Sequence, residues 1–220
     1  MRTYILPLLL IGFSSLLSAQ TQISFKESQK IDPNQYVDIK GDAYLFPDFK
    51  EGRVSGVNGS ETDKVLLNYN GYIQAFEVRQ GDRFIVLDEQ HHDYIIIPEP
   101  NQPDLIFVTG LNEVFLNDFV QLLYDGGSFQ LVKRFKVVLS EVTVQNVGKR
   151  EEFKRFKPQR AFFIVKGQGE KDCMALKGSK KRILETLGSP KLLDQYIKEY
   201  KLDLEIDADL ISLVKYWATL

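Results

Sequence analysis

The chain has 220 residues, with 28 basic and 30 acidic side chains, a formal charge of −2 and one cysteine. This balance excludes the strongly basic footprint of a dedicated nucleic-acid binder, and Cys173, being alone, excludes an intrachain disulfide. The length suits one sizeable domain with an appendage, large enough to bury a core.

Met1 to Ala19 has the pattern of a secretory signal peptide. Arg2 supplies the positive start and Tyr4 to Leu17 an apolar run interrupted by Pro7, Gly12, Ser14 and Ser15. Leu17-Ser18-Ala19 puts a small residue at a cleavage point before Gln20. The run falls short of the roughly twenty apolar residues of a membrane span. No later segment approaches that length, and no cysteine follows the leader to carry a lipid. The expectation is an exported chain, periplasmic or secreted, that does not span a membrane after cleavage.

Residues 20–35 are polar and weakly patterned and read as a flexible arm. Residues 36–177 read as an antiparallel β domain of short strands separated by turn residues. Asn70-Gly71 leaves two readings open. One is a tight hairpin that would set Tyr69 opposite Tyr72 and Lys64 opposite Glu77; the other is a bulge within one long strand. Gln80-Gly81-Asp82 separates the strand ending near Val78 from Phe84 to Leu87. Glu89 to Asp93 forms a polar turn into Tyr94 to Ile97, which Pro98 ends. Leu105 to Val108, Val114 to Tyr124 and Phe129 to Leu139 follow as strands, the last two joined across Asp125-Gly126-Gly127.

Glu141 to Arg160 is charged and carries little periodicity, so it reads as a long surface loop. Ala161 to Lys166 and Asp172 to Leu176 then form a hairpin across Gly167-Gln168-Gly169. Residues 178–220 change to the helical period. Ser179 and Gly188 bound a first helix, Ser189-Pro190 opens a second, and Asp207 or Asp209 a third. Their apolar stripes, with Leu184, Leu187, Leu193, Ile197, Leu213 and Trp217, call for a surface to lie on. Trp217 is expected to be largely buried. The fold class is therefore mainly β, an antiparallel sandwich or open barrel with a small C-terminal α-helical cap.

The stretches VLLNYNGYIQAFEV, VFLNDFVQLLYDGGSFQLVKR and KLLDQYIKEYKLDLEIDADLISLVKYW, with Ala19-Gln20 ending the leader, carry a resemblance. Tyr69-Asn70, Asp125-Gly126-Gly127 and the terminal Tyr216-Trp217 fit the pattern of a family of exported β-rich proteins of Bacteroidetes-type bacteria with no known activity. Gln74 departs from it where an acidic residue is expected. The resemblance implies a fold and an address, and brings no catalytic residues with it.

Candidate chemistry is sparse. His91-His92-Asp93 is the one histidine cluster, and neighbouring histidines on an extended chain point apart, so no metal site is expected. Cys173 has no nearby base in sequence and reads as a packing residue. There is no G-x-S-x-G elbow and no P-loop. Asn58-Gly59-Ser60 fits both a glycosylation acceptor and ordinary turn chemistry. The one distinctive cluster interleaves Lys149, Arg150, Lys154, Arg155, Lys157 and Arg160 with Phe153 and Phe156. Cations beside aromatics suit an anionic lipid head group, an acidic glycan or an envelope protein. The reading is a non-catalytic envelope binding or structural module without cofactor or metal. The alternative is a soluble periplasmic carrier of an apolar ligand, with the helices as lid.

Overall fold

Among the described residues the chain forms eleven strands, every strand pair antiparallel, in one sheet, most of them where apolar residues alternate or run between turn residues. The computed structural model describes residues 23–30, 34–55, 61–62, 64–146 and 149–220. The expected leader with its expected cleavage point, residues 20–22 and 31–33 of the expected arm, and Asn58-Gly59-Ser60 lie outside them. The strands are β1 (Phe25–Lys30), β2 (Lys50–Val54), β3 (Val65–Asn70), β4 (Ala75–Gln80), β5 (Arg83–Leu87), β6 (Tyr94–Ile97), β7 (Leu105–Val108), β8 (Val120–Asp125), β9 (Gln130–Asn146), β10 (Lys149–Val165) and β11 (Cys173–Leu176). Their spatial order is β1-β5-β4-β3-β2-β6-β7-β8-β9-β10-β11. β1 and β11 stand at the two edges with no pairing between them among the described residues, so the sheet is open.

The short strand β2 makes the corner. Lys50 to Gly52 pair with β3, whereas Arg53 and Val54 pair with β6 on the other side. A side chain at Gly52 would press on the Ile96 carbonyl at 3.0 Å and Leu67 at 3.1 Å, so glycine allows the crossing. Folding at this corner lays the β1-β5-β4-β3 half over β6 to β9. Val54, Leu67, Tyr69, Phe76, Ile95, Phe107, Phe119 and Phe135 are buried between the halves. Phe76 meets Tyr69, Phe107 and Phe119 at centroid distances of 5.0, 5.0 and 5.3 Å, in edge-to-face geometry. The packing is that of a sandwich built from a single sheet.

The same face of β8 to β11 carries a second core under the helices. These are α1 (Lys180–Leu187), α2 (Pro190–Tyr200) and α3 (Asp207–Trp217). Ile183, Leu184, Leu187, Leu193, Ile197, Leu210, Leu213 and Val214 pack onto Leu131, Ile164 and Leu176. Gly188 closes α1 at φ +83°, its N–H bonded to the carbonyls of Leu184 and Glu185. Trp217 is mostly covered, as expected, without being fully buried. Its Nε1–H donates to the Leu187 carbonyl at 2.7 Å and its ring meets Phe129 edge-on at 5.5 Å. On the opposite face Phe115, Val120, Val132, Phe163 and Val165 form a third, smaller cluster.

Several expectations change. The expected arm contains β1, held on β5 with Phe25 opposite Leu87; an edge strand needs backbone partners more than an apolar pattern. Asn70-Gly71 lies in a hairpin, but with Asn70 opposite Ala75 and Asn68 opposite Glu77, so the turn is wider than a two-residue loop. Asn70 Oδ1 accepts from the Tyr72 N–H at 3.0 Å and Gln74 takes the positive φ, +56°. Val114 to Phe119 is not strand. Asn112 caps a 3-10 turn, accepting from the Val114 and Phe115 N–H groups, and β8 starts at Val120. The largest correction is Glu141 to Arg160, which is not a loop. Its described residues belong to β9 and β10, paired without a bulge from Gln130:Val165 to Asn146:Lys149, and residues 147 and 148 lie outside the described residues.

Candidate functional site

The basic and aromatic cluster lies on β10, and strand alternation divides it between two faces. Arg150, Lys154, Phe156 and Arg160 share the face that carries the core, opposite Gln145, Glu141, Leu139 and Phe135 of β9. Phe153, Arg155 and Lys157 lie on the other face, opposite Val142, Ser140 and Val138. Lys149 has this second parity at the strand's start, but its side chain lies outside the described residues. The eight residues therefore form no single patch.

Phe156 is structural. It is 3% exposed, with Tyr36 edge-on at 5.1 Å and Tyr72 at 5.2 Å. Its N–H donates to the Lys40 carbonyl at 2.8 Å, and the Lys40 N–H donates to the Lys154 carbonyl at 3.0 Å. The β9 edge is held at a similar depth, where the Val137 N–H donates to the Gly71 carbonyl at 2.8 Å. Because Val137 turns its N–H away from β10, its partner Pro158 sits at a non-hydrogen-bonded position and loses no ladder bond. Beyond these two holds, Ser140 to Asn146 and Lys149 to Arg155 continue as a two-stranded ribbon, roughly 20 Å long at about 3.3 Å per residue.

The two faces of this ribbon differ in chemistry. The core-side face is polar, pairing Glu141 with Lys154 and Thr143 with Glu152; Arg150 also bonds Glu152 at 2.7 Å. The outer face begins with Lys136, Lys157 and Arg155, all exposed and without an ion-pair partner among the described residues. Lys40 joins them, its Nζ 3.8 Å above the Phe153 ring. Toward the tip come Phe153, Val142 and Val144, each only half covered, and then the exposed Glu151. Cations beside partly covered apolar groups, on one face of a ribbon whose other face is polar, form an amphipathic β surface.

The histidines diverge. His91 ends a 3-10 turn, exposed, with Nδ1 2.8 Å from Asp88 Oδ2. His92 is buried and joins two segments: Nδ1 lies 2.8 Å from the Ser55 carbonyl, and Nε2 accepts from the Ser24 N–H at 3.1 Å. Among the described residues no group of three His, Cys, Asp or Glu side chains could hold a metal ion. Cys173 is half-buried in the third cluster, and burial pushes its thiol up from the ordinary range.

One buried acid has no distinguishing signal in sequence. Glu77 of β4 is fully buried, accepting from Tyr44 Oη–H at 2.7 Å and from Asn70 Nδ2 at 2.7 Å, while Asn70 Nδ2 also donates to Tyr36 Oη at 3.1 Å. Burial pushes its carboxyl above the usual range, against the pull of these two donors. Burial raises the Tyr44 and Tyr36 hydroxyls too. This network fastens the segment carrying Tyr36, Lys40 and Tyr44 to the sheet, and hence sets Lys40 beside the ribbon. No helix among the described residues is long and apolar enough to cross a membrane. Comparison of the chain with family models, curated proteins and solved structures finds no match.

Proposed function

We propose that the protein is an exported, non-catalytic envelope binding module that docks the outer face of its β9–β10 ribbon on an anionic lipid surface. The observation that carries this reading is the row of exposed, unpaired cations Lys136, Lys157 and Arg155, with Lys40, leading to Phe153, Val142 and Val144. Cations without counter-charges recognise anionic head groups. The apolar end favours lipid over an acidic glycan, because a bilayer interface offers acyl chains to Phe153 and the valines, and a hydrated polysaccharide does not. The polar core-side face of the ribbon stays toward water when the ribbon lies flat.

Co-sedimentation with vesicles tests this. The full-length mature protein should pellet with vesicles of phosphatidylcholine containing phosphatidylglycerol, much less with phosphatidylcholine alone, and binding should weaken as salt rises. Retention on an acidic polysaccharide together with indifference to anionic vesicles would replace the lipid reading with the glycan one. Binding to neither would overturn it.

A further inference from the structure

The helical cap and the ribbon leave an open stretch of the core-side face between them. A cleft of about 580 Å³ lies there, lined by Phe162 of β10, Leu176 of β11, Ile183 of α1, Leu204 of the α2–α3 connection, and the cations Arg160 and Lys177. That size is within the usual range for a small-molecule site. Arg160 and Phe162, two residues apart on one strand, point to the same face. Leu176 and Ile183 are buried and form the floor; Phe162 and Leu204 are half covered.

Arg160 and Lys177 are exposed, and neither has an ion-pair partner among the described residues. The acid at the rim is Glu205, so the mouth holds two cations against one carboxylate. We infer that this cleft binds a single-chain amphiphile with an anionic head, its acyl chain over Phe162, Leu176, Ile183 and Leu204 and its carboxylate between Arg160 and Lys177. Charge complementarity selects the anion, and the apolar floor selects a chain over a small polar solute. The site is separate from the outer face of the ribbon, since Arg160 lies on the opposite face from Arg155 and Lys157.

Calorimetric titration of the full-length mature protein with decanoate, decanol and decyltrimethylammonium, each below its micelle-forming concentration, tests the inference. Decanoate should bind at one site per chain and more tightly than the other two. The paired change Arg160→Ser and Lys177→Ser should weaken decanoate about tenfold or more, the scale of a lost charge-assisted contact, and leave decanol unchanged. Phe162→Ser should weaken decanoate and decanol alike, with far-UV dichroism confirming that the variant is folded. Changes at Arg155 and Lys157 should leave decanoate binding intact even where they abolish vesicle binding, so the two readings fail separately. No decanoate binding, a preference for the cationic amphiphile, or equal binding of decanoate before and after the cation changes would overturn the inference.

Discussion

Gly71 and Phe135 are in such close contact that a Cβ on the glycine would lie 2.5 Å from the phenylalanine ring. The Gly71 backbone does not occupy the left-handed region, so glycine is required here for the approach and not for the turn. Its N–H donates to the Ala43 carbonyl at 2.7 Å and its carbonyl accepts from Val137 at 2.8 Å, which ties the β3–β4 turn to the base of the ribbon.

Gly71→Ala should therefore destabilise the fold by about 1–3 kcal/mol, the range for overpacking a filled site. Gly81→Ala is the contrast: nothing lies within 4 Å of that position, although its φ of +60° still carries a conformational cost. Denaturant unfolding of both variants checks this; a Gly71→Ala protein as stable as wild type would contradict the tight contact.

Glu77 sets a pH dependence. Its carboxyl is raised in the folded state, so the native protein favours the protonated form. The resulting stability is fully present below the ordinary carboxylate value of about 4.3 and is lost as pH rises through the folded value. Glu77→Gln retains a hydrogen-bonding group between Tyr44 and Asn70 and removes the ionisation. It should flatten the stability profile from pH 4 upward and be no less stable than wild type at neutral pH. Melting temperatures across pH for the two proteins give the comparison, and parallel profiles would count against the buried acid.

Trp217→Ala should cost about 2–4 kcal/mol, a little below the full cost of a wholly buried tryptophan, because the residue keeps some exposure while its ring holds the Leu187 carbonyl and Phe129. Leu193→Ala, on α2 and fully buried against the sheet-side core, should cost about 2–5 kcal/mol. Chemical denaturation followed by far-UV dichroism measures both. Losses under 1 kcal/mol would mean that the helices do not stabilise the sheet.

His92 should matter to stability and metal should not. Replacing His92 with Ala leaves the Ser24 N–H and the Ser55 carbonyl without their partner, a loss of about 1–3 kcal/mol for buried groups. EDTA should leave the melting temperature unchanged, and a fall that zinc reverses would show that the two histidines bind metal.

Legibility in the sequence followed burial. Tyr94 to Ile97 and Leu105 to Val108 were readable to the residue, because apolar runs with turn residues on both sides specify strands. The helices were readable from Gly188, Ser189-Pro190 and their apolar stripes. The distal ribbon was not. Both of its faces meet solvent beyond Leu139 and Phe156, so the only apolar alternation in it is the short run Glu141-Val142-Thr143-Val144-Gln145, with nothing comparable in the charged Lys149 to Arg155, and its register shows only once Glu141 is set opposite Lys154. Reading it as a loop merged its two faces into one basic patch. Glu77 looked like any surface glutamate, because its partners Tyr44 and Asn70 come from distant strands and loops. His92 looked like turn filling for the same reason: Ser24 lies 68 residues away in sequence.

The division of the ribbon into two faces supports the most direct test of its docking role. Two variants with similar changes in charge can be compared on the same anionic vesicles, at the same salt, with folding checked by dichroism. One carries Arg155→Ser and Lys157→Ser on the outer face; the other carries Arg150→Ser and Lys154→Ser on the core-side face. The outer-face variant should lose most of its vesicle binding, whereas the core-side variant should bind within about twofold of wild type, because screened charges facing away from the surface contribute little. Equal losses in the two variants would show that binding follows net charge alone, and would contradict docking through the outer face.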